Sequence, residues 1–185
     1  MKKNEEMDME KSVLIHDQGD LDHYKKQIEV NLNSGFKNLV HLIETGDVLS
    51  VFQKMKFEKT AIEPLTGEPE NLLEVVNQSH TYLVSIMGAE YLLKMHPDTS
   101  FRINFGNVSG YDIESEDGSI IAECFAATSY RSNGKLTADL KRLTENETAK
   151  YKYEFFYDKE FTEKNKTYYQ DKYPDIVIVK FQEIR

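Results

Sequence analysis

Apolar positions along the chain change their spacing at a few points, and those points divide it into elements. Over residues 21–33, and again over 36–55, apolar residues recur at three and four, with Phe36, Leu39, Val40 and Ile43 followed, past Gly46, by Val48, Leu49 and Phe52. The pattern predicts two helices. Residues 62–69 contain Pro64, Gly67 and Pro69 and predict a connector. A long third helix follows over 71–95, where Leu72, Val76, Leu83, Ile86, Met87 and Tyr91 fall along one broad stripe, and His96-Pro97-Asp98 stops it.

After Pro97 the period changes from helical to alternating. Phe101, Ile103 and Phe105 predict a strand closed by Gly106, and further strands are predicted over 110–115 and 120–126, with Asp117-Gly118 as a tight turn between them. Leu136, Leu140 and Leu143, spaced four and three, predict a helix over 133–143. Residues 151–157 read as a strand, 159–172 as helical or irregular, and 175–181 as a buried strand. No internal repeat is present. The expected fold is α/β: helices packed about a mixed central sheet, with a helical extension over 21–60 and a core over 70–181 in one domain, 21–185.

The first 20 residues are polar and aperiodic, with Lys2, Lys3 and Lys11 against Glu5, Glu6, Asp8, Glu10, Asp17 and Asp20, and predict a polar arm. They lack the apolar stretch of a secretory signal, and no run approaches the roughly 18 to 20 apolar residues needed to cross a bilayer, so no membrane association is expected. A cytoplasmic location is the default expectation. The 185 residues are 39% hydrophobic and 30% charged, as in a globular chain that folds unaided. A net charge of −9 argues against nonspecific adhesion to nucleic acid or anionic lipid, so any DNA contact must use a local basic patch. The one cysteine, Cys124, cannot form an intrachain disulfide or a cysteine-cluster metal site, and reads as a small buried residue.

The hairpin around Asp117-Gly118 carries the candidate chemistry. With those two residues as its loop, opposed positions sum to 235, so Asp112 faces Glu123. Their Cβ atoms would then stand roughly 4.5 to 5.5 Å apart on one face, where like charges are destabilising unless something positive lies between them. Glu123 also sits inside Ile120-Ile-Ala-Glu-Cys-Phe-Ala126, an otherwise apolar run in which a lone carboxylate is costly. Two carboxylates and a backbone carbonyl, that of Cys124, suit Mg²⁺ or Mn²⁺. The alternative is an acidic surface hairpin with Glu123 paired to a Lys or Arg.

Gly110-Tyr-Asp112, ten residues, then Glu123-Cys-Phe125, set in an order of helix, three strands, helix and strand, resembles the restriction-endonuclease-like PD-(D/E)XK nuclease superfamily over residues 70 to 157 and on toward 181. The resemblance implies an αβββαβ core with a mixed sheet, a metal-dependent hydrolase acting as an endonuclease on DNA, and Asp112 and Glu123 as ligands of the catalytic Mg²⁺. Two positions depart from the family pattern: Phe125 stands where its lysine is usual, and Tyr111 where its proline is. Some members place the lysine on the following helix, where this chain offers Lys135; it shares a helical face with Asp139 and Arg142. Lys135 is therefore the third candidate catalytic residue. The basic patch would be Arg131, Lys135, Lys141, Arg142, Lys150 and Lys152. Restriction enzymes often act as dimers because duplex DNA has two strands, so a homodimer is an expectation for which the sequence supplies no interface. Phe125 and the acidic net charge equally suit a nuclease-like module that has lost catalysis and serves in interaction or regulation.

Other features are weaker. Glu74 and Glu90 read as helix-surface residues, the five histidines show no zinc spacing, and no phosphate-binding glycine loop occurs. The tyrosines at 151, 153, 157, 168, 169 and 173 could stack on bases, yet sheet and core packing accounts for them more simply.

Overall fold

The computed structural model describes residues 11–184, so the first half of the expected arm lies outside the described residues. The described chain forms two compact units, one of Gly19–His80 and one that takes the chain up to Gln18 and from Thr81 onward. Five helices and a mixed six-stranded sheet make it an α/β protein. No helix among the described residues is long and apolar enough to cross a membrane.

In the Gly19–His80 unit, α1 (Gln18–Thr45) is one helix where the spacing predicts a break near residue 34. Gly35 does not interrupt it. That glycine is buried where the backbone nitrogen of Ile62 approaches, 3.1 Å from where a Cβ would stand. The break comes instead at Gly46-Asp47, where Asp47 caps α2 (Val48–Phe57) by accepting from the Ser50 amide at 3.1 Å. The predicted connector folds as a ribbon of β2 (Ala61–Ile62) and β3 (Pro69–Glu70). Between them the Glu63 carboxylate accepts from the amides of Leu65 and Thr66 at 2.8 and 2.6 Å, and Asn31 of α1 donates to the Pro64 carbonyl at 3.0 Å. Helix α3 (Leu72–Met95) begins in this unit and ends in the other.

The second unit is built on a sheet of β1 (Ser12–Ile15), β4 (Phe101–Asn104), β5 (Ile113–Ser115), β6 (Ile120–Ala126), β7 (Tyr151–Tyr157) and β8 (Ile176–Phe181), in that order across it. Strands β4 (Phe101–Asn104), β5 (Ile113–Ser115) and β6 (Ile120–Ala126) form an antiparallel meander; α4 (Lys135–Glu145) then leads to β7 (Tyr151–Tyr157), parallel to β6. After α5 (Glu163–Lys172), β8 (Ile176–Phe181) adds a second parallel strand. Within the stretch read as an arm, β1 (Ser12–Ile15) pairs antiparallel with β4, because Val13 and Ile15 alternate into the core. The expectation of a fully buried last strand also needs correction. β8 is an edge, so Ile176 and Ile178 are buried while Val177 between them is exposed.

Helices cover both faces. On one, Leu136, Leu140 and Leu143 of α4 pack with Ile121, Phe125, Phe156 and Ile178; full burial of each leucine contributes about 1.5–3 kcal/mol. On the other, the second half of α3 lies against Ile113 and Phe155, close enough that Gly88 has no room for a side chain. An alanine in mid-helix normally gains up to about 1 kcal/mol over glycine. At Gly88 its Cβ would stand 2.8 Å from the Phe155 ring and 3.1 Å from the Ile113 methyl. Gly88→Ala is therefore expected to destabilise by about 1–3 kcal/mol, read as a lower urea midpoint at unchanged m.

Candidate functional site

Strand β6 is the position at which the sheet passes from antiparallel to parallel pairing, and Glu123 lies at its middle. The hairpin register pairs Ile113 with Ala122 and Glu114 with Ile121, each summing to 235 as the turn predicts. The loop itself is longer than two residues. The Gly118 amide bonds the Ser115 carbonyl at 2.9 Å, Gly118 takes φ 68°, and the strands resume at Ser115 and Ile120. One extra residue on each side leaves the sum unchanged, and Asp112 comes opposite Glu123 just before β5 begins. Because Ile113 faces α3, Asp112 faces α4, as does Glu123, which shares a face with Ile121 and Phe125.

The two carboxyl groups stand within hydrogen-bonding reach of each other, and Asp112 Oδ2 also accepts from the Cys124 amide at 2.7 Å. Burial, despite that amide, holds Asp112 above the usual carboxylate range. Glu123, only 1% exposed, is pushed up to about 8 by burial and then by the Asp112 charge. Arg142 opposes this shift without cancelling it: Nη1 donates to Glu123 Oε1 at 2.5 Å from a side chain that is 48% exposed. Its other terminal nitrogen donates to the Gly110 carbonyl, and the guanidinium lies 4.6 Å from the Tyr111 ring centroid. The pair thus retains a proton between two oxygens near neutral pH.

Cys124 points its buried thiol to the opposite face, beside the Ser85 hydroxyl, and burial pushes that thiol well above its ordinary value. A strand residue presents its N–H and C=O to the same neighbour, so the Cys124 carbonyl faces the Asp112 edge along with its amide. Lys135 opens α4 after two left-handed residues, Asn133 and Gly134, and its ammonium pairs with Asp139 Oδ1 at 2.8 Å. Burial works against that ammonium, yet Asp139, Asp112 and Glu123 outweigh it and hold its pKa above the lysine value. Glu90 makes the expected surface pair with Lys94, at 2.7 Å, and Glu74 is exposed.

Two further carboxyls join the cluster. Asp139 is buried and raised by that burial, with Oδ2 unpartnered. Glu154 pairs in register with Glu123 across β6 and β7, is fully buried, and has no hydrogen-bond partner on either oxygen. Burial and then the Asp139 and Glu123 charges raise it well above the glutamate range. Four carboxyls, Asp112, Glu123, Asp139 and Glu154, therefore face two cations, Lys135 and Arg142. The helical spacing brings 139 and 142 onto the face of Lys135. The sequence offers a Lys or Arg as partner of Glu123 without singling out Arg142, which depends on how the crossover helix lies on the sheet, and it does not flag Glu154, which depends on the register of the parallel strand.

Among the described residues no three His, Cys, Asp or Glu side chains gather closely enough to hold a metal ion by themselves. Mg²⁺ asks for less, since it keeps several waters and takes one or two carboxylates. The donors here fit that need: hard oxygens, an anionic excess, and buried Glu154 and Asp139 oxygens that lack partners.

The raised carboxyls have a consequence for stability. Between the ordinary glutamate value of 4.5 and about 8 the folded chain holds a proton on Glu123 that the unfolded chain has released. The stabilisation is therefore complete below pH 4.5 and lost as pH rises through about 8; Asp112, Asp139 and Glu154 shift in the same sense. In chelator-treated protein the urea midpoint should fall between about pH 6 and pH 9, with a slope approaching ~1.4 kcal/mol per pH unit per group. Glu123→Gln should make that fall shallower.

Compared with known proteins, the chain matches no family model, no curated protein and no solved structure.

Proposed function

We propose that the chain is a metal-dependent DNA phosphodiesterase, endonuclease-like and of restriction type, with Asp112 and Glu123 holding Mg²⁺ or Mn²⁺. The observation that carries this reading is the pair itself: the buried Glu123 of β6 and the half-buried Asp112 just before β5, on one face and within hydrogen-bonding reach. Such a pair is unfavourable unless a proton or a cation lies between its oxygens. The restriction-endonuclease-like αβββαβ core is part of the proposal, supported by the order α3, antiparallel β4–β6, α4 and a β7 parallel to β6.

In this reading Asp112 and Glu123 supply the two carboxylate oxygens and the Cys124 carbonyl a neutral third. The bound ion would polarise a scissile phosphate and acidify a water. Lys135, half exposed at the start of α4, turns its ammonium from Asp139 toward the phosphate and stabilises the charge that develops there. Arg142 would release Glu123 to a bound ion and add its charge to the surface that meets the DNA backbone. Lys141, Lys150 and Lys152 extend that surface.

A specific observation also favours the second reading, a catalytically inactive module used for interaction or regulation. Arg142 already pairs with Glu123, and Phe125, at the position of the missing lysine, is stacked on Phe156 with ring centroids 5.1 Å apart.

Asp112→Asn and Glu123→Gln are each expected to abolish Mn²⁺-supported cleavage of duplex DNA with circular dichroism unchanged, and Lys135→Ala to lower the rate by about 10²-fold. Cleavage that survives both carboxylate substitutions overturns the site. A parental chain that neither cleaves DNA nor gives, by titration calorimetry, a Mn²⁺ site dependent on both carboxylates is the inactive module.

A further inference from the structure

A second feature, unrelated to the carboxylates, lies in the Gly19–His80 unit. Of the large apolar side chains that stand exposed, most belong to α1 and α2: Val30, Phe36, Val40, Ile43, Val48, Leu49, Phe52 and Phe57. Phe36, Val40 and Ile43 are spaced four and three, so they form one stripe along the second half of α1. Gly46 and the Asp47 cap then end α1 and open α2, on which Val48, Leu49 and Phe52 are exposed as well.

The exposed area is large. Phe36, Phe52 and Phe57 are 63%, 68% and 72% exposed. With aromatic side chains offering about 150–250 Å² each, these three leave on the order of 400 Å² open. The aliphatic members about double that, spread over more than one face of each helix: Val30 stands about a third of a turn from the stripe, and Phe57 about half a turn from Val48.

The charges beside the stripe indicate what covers it. Lys37 and Glu44, seven residues apart, flank it on the same side, three positions before and four after Val40. Both are exposed, and among the described residues neither has an ion partner within the chain. When two identical helices pack antiparallel about a two-fold axis, each same-side flank meets its own counterpart with the sequence reversed. An axis near Val40 brings each Lys37 against the other copy's Glu44 and sets Phe36 against Ile43. A stripe that is complementary to itself in this way fits a second copy of the chain better than an unrelated partner.

We propose that two copies of this chain pair antiparallel through the Phe36–Val40–Ile43 stripe of α1, with the exposed side chains of α2 joining the contact. The proposal is independent of the nuclease reading and of any bound metal.

Sedimentation equilibrium of the full chain at micromolar concentration tests it. The parental chain is expected to be a dimer, and Phe36→Glu combined with Ile43→Glu a monomer of unchanged helical content, since both positions are exposed. Lys37→Glu alone should weaken the dimer by about tenfold, as two like-charge contacts replace two ion pairs, and the further change Glu44→Lys should restore it. A parental chain that stays monomeric at all concentrations overturns the proposal, whatever other partner the face then takes. So does a dimer indifferent to Phe36→Glu and Ile43→Glu, and so does a paired charge reversal that fails to restore association.

Discussion

The constraint on which this molecule turns is a carboxyl group buried in the middle of its most buried strand. Six of the seven residues of β6 are buried, and five of those six are Ile, Ala, Cys or Phe. Glu123 could be replaced there by almost any apolar residue with a gain in solvation. Its presence requires the surroundings to be polar on one face, and the neighbours comply: Asp112 from the preceding strand, Glu154 from the following one, Lys135, Asp139 and Arg142 from the covering helix. The leucines of α4 pack on either side of this polar patch, so one helix both closes the core and sets the charge of the site.

The part of this arrangement that is local in sequence was legible. A turn at Asp117-Gly118 sets the sum of opposed positions, and that sum survives a loop two residues longer because the extra residues fall symmetrically. The facing of Asp112 and Glu123 therefore follows from a dozen residues. The parallel partner of Glu123 does not. Whether Glu154 or its neighbour stands beside it depends on how α4 crosses over the sheet, and a slip of one residue would have placed Tyr153 or Phe155 there instead.

Glycines show the same division between local and distant causes. Gly35 and Gly46 both punctuate an amphipathic pattern, yet only Gly46 ends a helix. It is followed by Asp47, whose side chain can cap the next one, and a Cβ on it would stand 2.6 Å from a Val51 methyl. Gly35 is there because the strand at Ile62 passes close by, a tertiary reason that no pattern around residue 35 reveals. The last strand fails for a related reason: five apolar residues in six predict burial, but whether both faces are covered depends on what packs over the sheet at its edge, where β8 lies.

The absence of a basic residue at position 125 is also explained by packing. Phe125 shares the face of Glu123 and lies parallel to the Phe156 ring, interplanar angle 5°, beneath Leu136 and Leu140. A lysine at that position would have to carry its ammonium through this apolar layer, so β6 cannot furnish the cation that two neighbouring carboxyls need. Helix α4 furnishes it instead, at spacings of four and three, and does so twice. Lys135 is held by Asp139 and reaches the carboxyl pair only through its field, whereas Arg142 touches Glu123 directly. The two cations are thus not equivalent: Lys135 gives up the buried Asp139 when it turns toward an incoming anion, whereas Arg142 can leave only by giving up Glu123 itself.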